Sequence, residues 1–381
     1  MHEVRIITSI NDISVQDWNQ LQLEANPFIK YEFLSALETF DCLEKWGWLP
    51  RFVCLFQQES LIAALPMYLK DNSYGEFVFD WAWADAYSRN GLQYYPKLVV
   101  AIPFTPATGP RLLQHKDHAS VTLQKELTDA ALNYAKNIEV SSLHYLFTTQ
   151  DETDFLQSSG LLRRTGCQFH WQNNAYKDFN DFLASLSSKK RKQIRKERRD
   201  VLSAGIEVEL LHGYQTTAEH WRIFHEFYTS TFMRKSGYAT LTREFFEALS
   251  KDMADQVILV LAKHQGEYVA ATFNLLGGDT LYGRHWGCKQ RFSGLHFELC
   301  YYQLIEYCIN HGIQRFEAGA QGEHKLSRGF LPTPTWSAHW LAHPEFNQVI
   351  AEFLQHEEKG IRHYMDELDE HSPFKTSDSS S

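Results

Sequence analysis

Between Glu317 and Phe330 the chain reads EAGAQGEHKLSRGF, glycines interleaved with Glu, His, Lys and Arg. Such residue types suit general acid–base work, which needs a positioned base, and the binding of an anion or a developing oxyanion. Glu298, Glu317, Glu323 and His324 can supply the base. Glu323 and His324 follow a glycine-flanked turn at a strand's end, whereas Glu317 can equally point inward and position a neighbour. Lys325 and Arg328 stand three apart, so on a helical turn they share a face and can bind a phosphate, a carboxylate or the oxyanion. Gln321 joins them as a substrate contact. The competing interpretation is a buried set of salt bridges that closes this half of the chain. Just upstream, Arg284, His285 and Trp286 occupy consecutive strand positions, and alternation places Arg284 and Trp286 on one side, facing a cleft.

The elements that must hold these groups are legible around them. Thr280–Trp286 reads as a strand, His296–Asn310 as a helix that stops at His311-Gly312, and Arg315–Ala318 as a short strand. Ahead of them, Val257–Lys263 and Tyr268–Leu275 form a meander across Gln265-Gly266-Glu267. The first half repeats the plan in Arg51–Phe56 and Leu61–Leu69, again apolar strand, polar turn, apolar strand. Strands are also expected at Val4–Thr8, Tyr95–Ile102 and Leu143–Phe147, with helices at Val15–Leu23, Tyr31–Phe40, Ala119–Ala135 and Asn347–Glu370. We read an α+β chain of layered sheets and helices, with residues 1–172 as one domain, 173–371 as a second, and a disordered tail over 372–381.

In the first half, Asp80, Trp81, Trp83, Asp85 and Tyr87 offer an aromatic and acidic wall suited to a sugar, a peptide or an amine. The same cluster can be the edge of a core. Tyr95, Lys97 and Arg111 flank PFTPATGP, whose prolines favour an extended loop with Lys97 and Arg111 at one mouth.

Between the halves, residues 187–204 form a basic linker helix, and its run from Lys189 to Arg199 holds eight Lys or Arg in eleven positions. Lys190, Arg191 and Arg195 are the candidate phosphate contacts, on a tRNA backbone or on a phosphorylated lipid or nucleotide carrier. A solvated face that offsets the acidic remainder is the alternative.

The chain has 381 residues, 44% hydrophobic, and a formal net charge of −10, which argues against general polyanion binding. Its six cysteines form no CxxC pair, so reduced thiols are expected. The 18 histidines show no HxH or HExxH spacing, and no metal is expected. Acids early in MHEVRIITSINDISVQDW exclude a signal peptide, and no apolar run is long enough to span a bilayer. A cytoplasmic protein is the expectation, with its oligomeric state open.

The GAQGEHKLSRGF run, together with Tyr95-Pro96-Lys97, PFTP and Gly109-Pro110-Arg111, resembles the bacterial N-acyltransferases named for peptidoglycan biosynthesis or recognition. These are relatives of the Fem-type aminoacyltransferases. The resemblance extends over about residues 4 to 365 and implies two tandem GNAT-like domains, each a mixed, mainly antiparallel sheet flanked by helices, with the active cleft between the halves. It also implies an acyl-CoA or aminoacyl-tRNA donor and an amine acceptor on a peptidoglycan precursor or another small molecule. Fem-type relatives place a lysine before a Gly-Phe to meet anionic substrate, and Lys325 matches it. GNAT enzymes hold a pyrophosphate at Gln/Arg-x-x-Gly-x-Gly/Ala. Here Arg291 and Gly294 match, while His296 replaces the small last residue and crowds the phosphate. The rivals to acyl transfer are a non-catalytic protein that recognises cell-wall precursors, and an RNA-binding protein acting through the basic helix.

Overall fold

The computed structural model describes His2 to Lys375 except residues 22–24, 235–236 and 321. The chain forms two compact units. One runs to Gly166 and takes in Pro334–His363; the other is Cys167–Thr333 and resumes at Tyr364. This differs from the contiguous division expected at residue 172, because a late strand pairs with the first unit.

In chain order the first unit holds β1 (Glu3–Ile7), α1 (Val15–Asn19), α2 (Tyr31–Thr39), β2 (Leu49–Pro50), β3 (Phe52–Gln57), β4 (Ser60–Leu65) and β5 (Met67–Lys70). It continues with α3 (Trp81–Arg89), β6 (Lys97–Val100), β7 (Leu113–Gln114), α4 (Val121–Asn137), β8 (Ser142–Thr148) and α5 (Gln150–Ser158). Along β9 (Leu162–Gln172) the chain passes into the second unit. There follow α6 (Phe179–Ser185), α7 (Ser188–Ser203), β10 (Ile206–His212), α8 (Ala218–Met233), α9 (Arg243–Asp252), β11 (Val257–His264), β12 (Glu267–Gly277) and β13 (Thr280–Cys288). Then come α10 (Leu295–Phe297), α11 (Gln303–Asn310) and β14 (Arg315–Glu317). Finally β15 (Leu331–Leu341) leads back to the first unit, and α12 (Pro344–Glu370) ends the regular structure.

The two units share a local plan. In the first, β5 and β6 are antiparallel and β6 and β8 parallel. In the second, β12 and β13 are antiparallel and β13 and β14 parallel. An antiparallel meander that ends in a parallel pair therefore occurs twice, as expected of tandem GNAT-like halves.

The strand β11, next to the edge strand β10, is buried at Val257–Ala262 on both faces, so it reads as one apolar run without alternation. On one side Phe224 of α8 and Phe246 of α9 pack against Phe273 of β12, with ring centroids 4.9 to 5.9 Å apart. Leu304 and Ile305 of α11 share a core with Ile258, Val260 and Leu281. In the first unit Leu123, Leu127, Ala131 and Ala135 give α4 a stripe at helical spacing, which packs with Val53, Leu55 and Ile62.

The tail expected from Ser372 is in part ordered. Pro373 is buried and Phe374 half-buried, Phe374 bridges Leu186, and Pro373 and Lys375 bond to the backbone of Ser187 and Ser185. Residues 376–381 lie outside the described range.

Candidate active site

In the second unit β13 and β14 pair over only three residues, ending at Tyr282 opposite Glu317. The strand β13 runs on to Cys288, and beyond Tyr282 no strand among the described residues pairs with that edge. Gly283 and Gly319 flank this parting. A Cβ on Gly283 would lie 3.2 Å from Phe316, and Gly319 takes a φ of +84° that disfavours a side chain. On its other edge β13 bulges: Phe273 faces His285 and Asn274 faces Gly283, leaving Arg284 as the extra residue.

That bulge overturns the expected alternation. Arg284 lies within electrostatic reach of Glu317 and Tyr228, whereas Trp286 packs edge-on against His296 at 5.1 Å. The two residues do not share a side, because one inserted residue resets the period of two.

The helix that follows is not a single α-helix. Between α10 and α11 a π turn spans Glu298–Tyr302, a wide turn that sequence periodicity does not reveal and that recurs at functional sites. It carries Cys300 and Tyr301. The Tyr301 hydroxyl is 2.9 Å from His324 Nε2, and His296, Phe297 and Tyr301 are in ring contact. His324 is exposed over part of its surface, and partial burial of its ring, with Arg328 and Lys325 nearby, moves its pKa below the ordinary histidine value. It is neutral near pH 7.

Lys325 and Arg328 both lie on the 3-10 turn Glu323–Arg328, and both are buried, yet their settings differ. Arg328 is saturated. It donates to Glu197 at 2.8 Å, to the Tyr302 hydroxyl at 3.0 Å and to the His324 carbonyl at 2.7 Å, and its guanidinium lies over the Phe297 ring. The expected anion-binding role gives way to a buried ion pair that fastens the turn to α7. Lys325 has no such partner. Its Nζ donates to the Gly319 carbonyl, and among the described residues no carboxylate lies within ion-pair distance. Burial lowers its pKa to about 8.

Glu298 is also structural. It accepts bonds from Arg198 at 3.2 Å and Gln303 at 2.8 Å beneath α7. Glu323 is exposed and accepts from the Tyr364 hydroxyl at 2.8 Å. Glu317 is buried beside Arg315 at 3.3 Å and His170 at 4.0 Å, but neither oxygen receives a hydrogen bond among the described residues. Burial raises its pKa to about 7. Gln321 lies outside the described residues.

The strand-to-helix turn places Gly294 with a φ of +79° at the start of α10. A Cβ there would lie 3.1 Å from the Glu197 carbonyl of α7, so the basic helix packs onto this turn. Arg291 is exposed, as is Arg195 on α7, and Lys190 and Arg191 are half-buried.

The first-unit candidates take structural roles. Lys97 is fully buried, donating to Glu76 at 2.7 Å, to Ser73 at 2.8 Å and to Asp80. Arg111 is fully buried and donates to the carbonyls of Ala107, Gly109, Pro110 and Leu146. The loop thus curls around its own arginine and presents no basic mouth. Trp83 is buried against His339, and Asp85 is exposed and paired with Arg89. The helical turn of α3 divides these residues between core and solvent, so they form no wall. Tyr95 is half-buried, its hydroxyl 2.8 Å from Ser73.

The sequence reading missed Cys300, Tyr301 and Glu197. The first two stood in a stretch read as continuous helix, and the third in a run read for its cations.

A family model described as peptidoglycan biosynthesis/recognition, FemAB-like, matches residues 9–376. The chain belongs to the FemAB-like family. Among solved structures, FemX aligns over 92% of this chain and 100% of its own, at 12% identity and a TM-score of 0.55. L-PGS from Bacillus licheniformis aligns over 84% and 95%, at 11% identity and a TM-score of 0.51. A tandem GNAT protein from the clavulanic acid biosynthesis pathway aligns over 90% and 99%, at 13% identity and a TM-score of 0.49. No curated protein matches in sequence. The α+β fold expected from the sequence is the fold observed, and FemX shares it. Among the described residues no helix is long and apolar enough to cross a membrane.

Proposed function

We propose that this FemAB-like protein is an N-acyltransferase acting in the cytoplasm. It moves an acyl or aminoacyl group from acyl-CoA or aminoacyl-tRNA to an amine, on a peptidoglycan precursor or a related small molecule. The observation that carries the proposal is Lys325, a buried ammonium without a counterion beside the parting of β13 and β14. An oxyanion formed there supplies the missing negative charge, and the ammonium is held ready for it. The Lys325 pKa of about 8 keeps it mostly protonated at neutral pH.

His324 is the proposed base. With Nε2–H donating to the Tyr301 oxygen, Nδ1 keeps a lone pair for the proton that a neutral amine loses on attack. The amine nitrogen then bonds to the acyl carbon, and the bond to the donor's sulfur or ribose oxygen breaks. His324 returns the proton to that leaving atom. Trp286, His296 and Tyr301 supply ring faces for the acceptor.

The packing of α7 on the Gly294 turn, with His296 beside it, favours a donor without a pyrophosphate at that turn, so aminoacyl-tRNA over acyl-CoA. Calorimetric titration with acetyl-CoA, followed by transfer assays with charged tRNA and a panel of amines, tests both levels. Acetyl-CoA is expected to give no heat, and charged tRNA to give a new amide. Absence of transfer from both donor classes removes the proposal.

A further inference from the structure

The helix α7 has two unlike faces. Inward, Ile194 and Val201 are buried, Glu197 holds Arg328 and Tyr302, and Arg198 holds Glu298 and Glu306. Outward, Lys189, Lys192, Arg195, Lys196 and Arg199 are all exposed. None of the five is in an ion pair among the described residues. The steps 189, 192, 196, 199 follow the three-four alternation of a helix, so the cations form a nearly straight row about 15 Å long. No acid interrupts it. Beyond the last cation, Leu202 projects with 74% of its surface exposed.

We propose that this row is a docking surface for an anionic lipid bilayer. The row lies on a convex, straight rod fixed to the core by its inner face, and such a rod touches a plane of phosphates with every cation at once. It forms no groove around a strand, and no aromatic ring stands among the cations to stack a base. Leu202, unsupported in water, enters the headgroup region of a bilayer at the end of the same row. The chain's net charge of −10 repels anionic surfaces elsewhere, so the contact orients the protein. Docking is independent of the transfer reaction proposed above.

The test is co-flotation of the full chain with vesicles of phosphatidylglycerol and phosphatidylcholine, and with phosphatidylcholine alone, at low and high salt. Binding is expected only to the anionic vesicles and is expected to fall with salt. Each cation removed weakens partitioning about fivefold. Lys189→Gln, Lys192→Gln and Lys196→Gln together therefore weaken it by about a hundredfold. Leu202→Gln weakens it at high salt as well as low. Because these side chains have no hydrogen-bond or ion-pair partner among the described residues, the melting temperature serves as a control that stays constant. If the triple variant misfolds, single exchanges of the same residues must each show the fivefold loss. No binding to anionic vesicles, or binding that the exchanges leave unchanged, overturns the proposal. So does tighter binding of total tRNA than of vesicles, lost in the same triple variant, which would make the row a nucleic-acid surface.

Discussion

Replacing Lys325 with methionine separates catalysis from stability. The side chain is 2% exposed, and burial moves its pKa from an ordinary 10.5 to about 8. At ~1.36 kcal/mol per unit, holding the ammonium in the fold costs about 3 kcal/mol near pH 7. Against this stands one charged hydrogen bond to the Gly319 carbonyl, worth about 1.5–3 kcal/mol. Lys325→Met fills the same volume without charge, so stability at pH 7 should be unchanged or raised by up to about 2 kcal/mol. The sign with pH follows from linkage. The folded chain binds fewer protons than the unfolded chain between about pH 8 and 10.5, so wild-type stability from this group rises across that window. The variant lacks that rise. Turnover should fall by about a hundred- to a thousandfold, the loss expected for one oxyanion donor. Urea melts at pH 7 and pH 10, with single-turnover assays, read all three quantities. A loss of more than about 2 kcal/mol at pH 7 with only a proportional loss of activity would refute the reasoning and make Lys325 a structural clamp.

Arg328→Ala should behave in the opposite way, costing about 3–5 kcal/mol in denaturant melts, because it strands Glu197 and removes the donor to Tyr302. In the first unit His144 and His339 meet through their Nδ1 atoms at 2.8 Å, and burial lowers the pKa of His144 to about 3 and that of His339 well below normal. The unfolded histidines bind protons that the folded ones refuse, so stability should fall as pH drops below about 6.5, by up to ~1.36 kcal/mol per unit for each ring. His339→Leu should flatten that acid limb in pH-dependent melts. Gly287→Ala should lower stability by more than about 2 kcal/mol, since its Cβ would lie 2.2 Å from the Phe227 backbone of α8, a contact that calorimetry of the variant can check.

The parts of the fold that announced themselves were those where one local rule sufficed. The runs VILVLAK and YVAATFNL, split by Gln265-Gly266-Glu267, are β11 and β12. The segment LPTPTWSAHWL gave no such signal, since Pro332 and Pro334 argue against a strand, yet it is β15 with its prolines at the start, ahead of its pairing with β8, which begins at Trp336. Charges were harder to assign. Lys97 finds its acids 17 and 21 residues upstream, and Arg111 finds carbonyls of its own loop, and neither partner is set by spacing. The importance of the stretch around Lys325 was legible because glycines and charges were dense there. That Lys325 lacks a counterion while Arg328 has one depends on Glu197, far away in sequence on α7.

The return of β15 to the first unit bears on how the protein is made. Trp336–Leu341 completes the edge of β8, and α12 follows it into the same unit as far as His363. A chain emerging from a ribosome has therefore finished almost the whole second unit before the first can close its sheet. Until then the edge of β8 is a bare row of N–H and C=O groups. Premature termination after Thr333 would leave that edge permanently open, an aggregation-prone fragment in place of a working half.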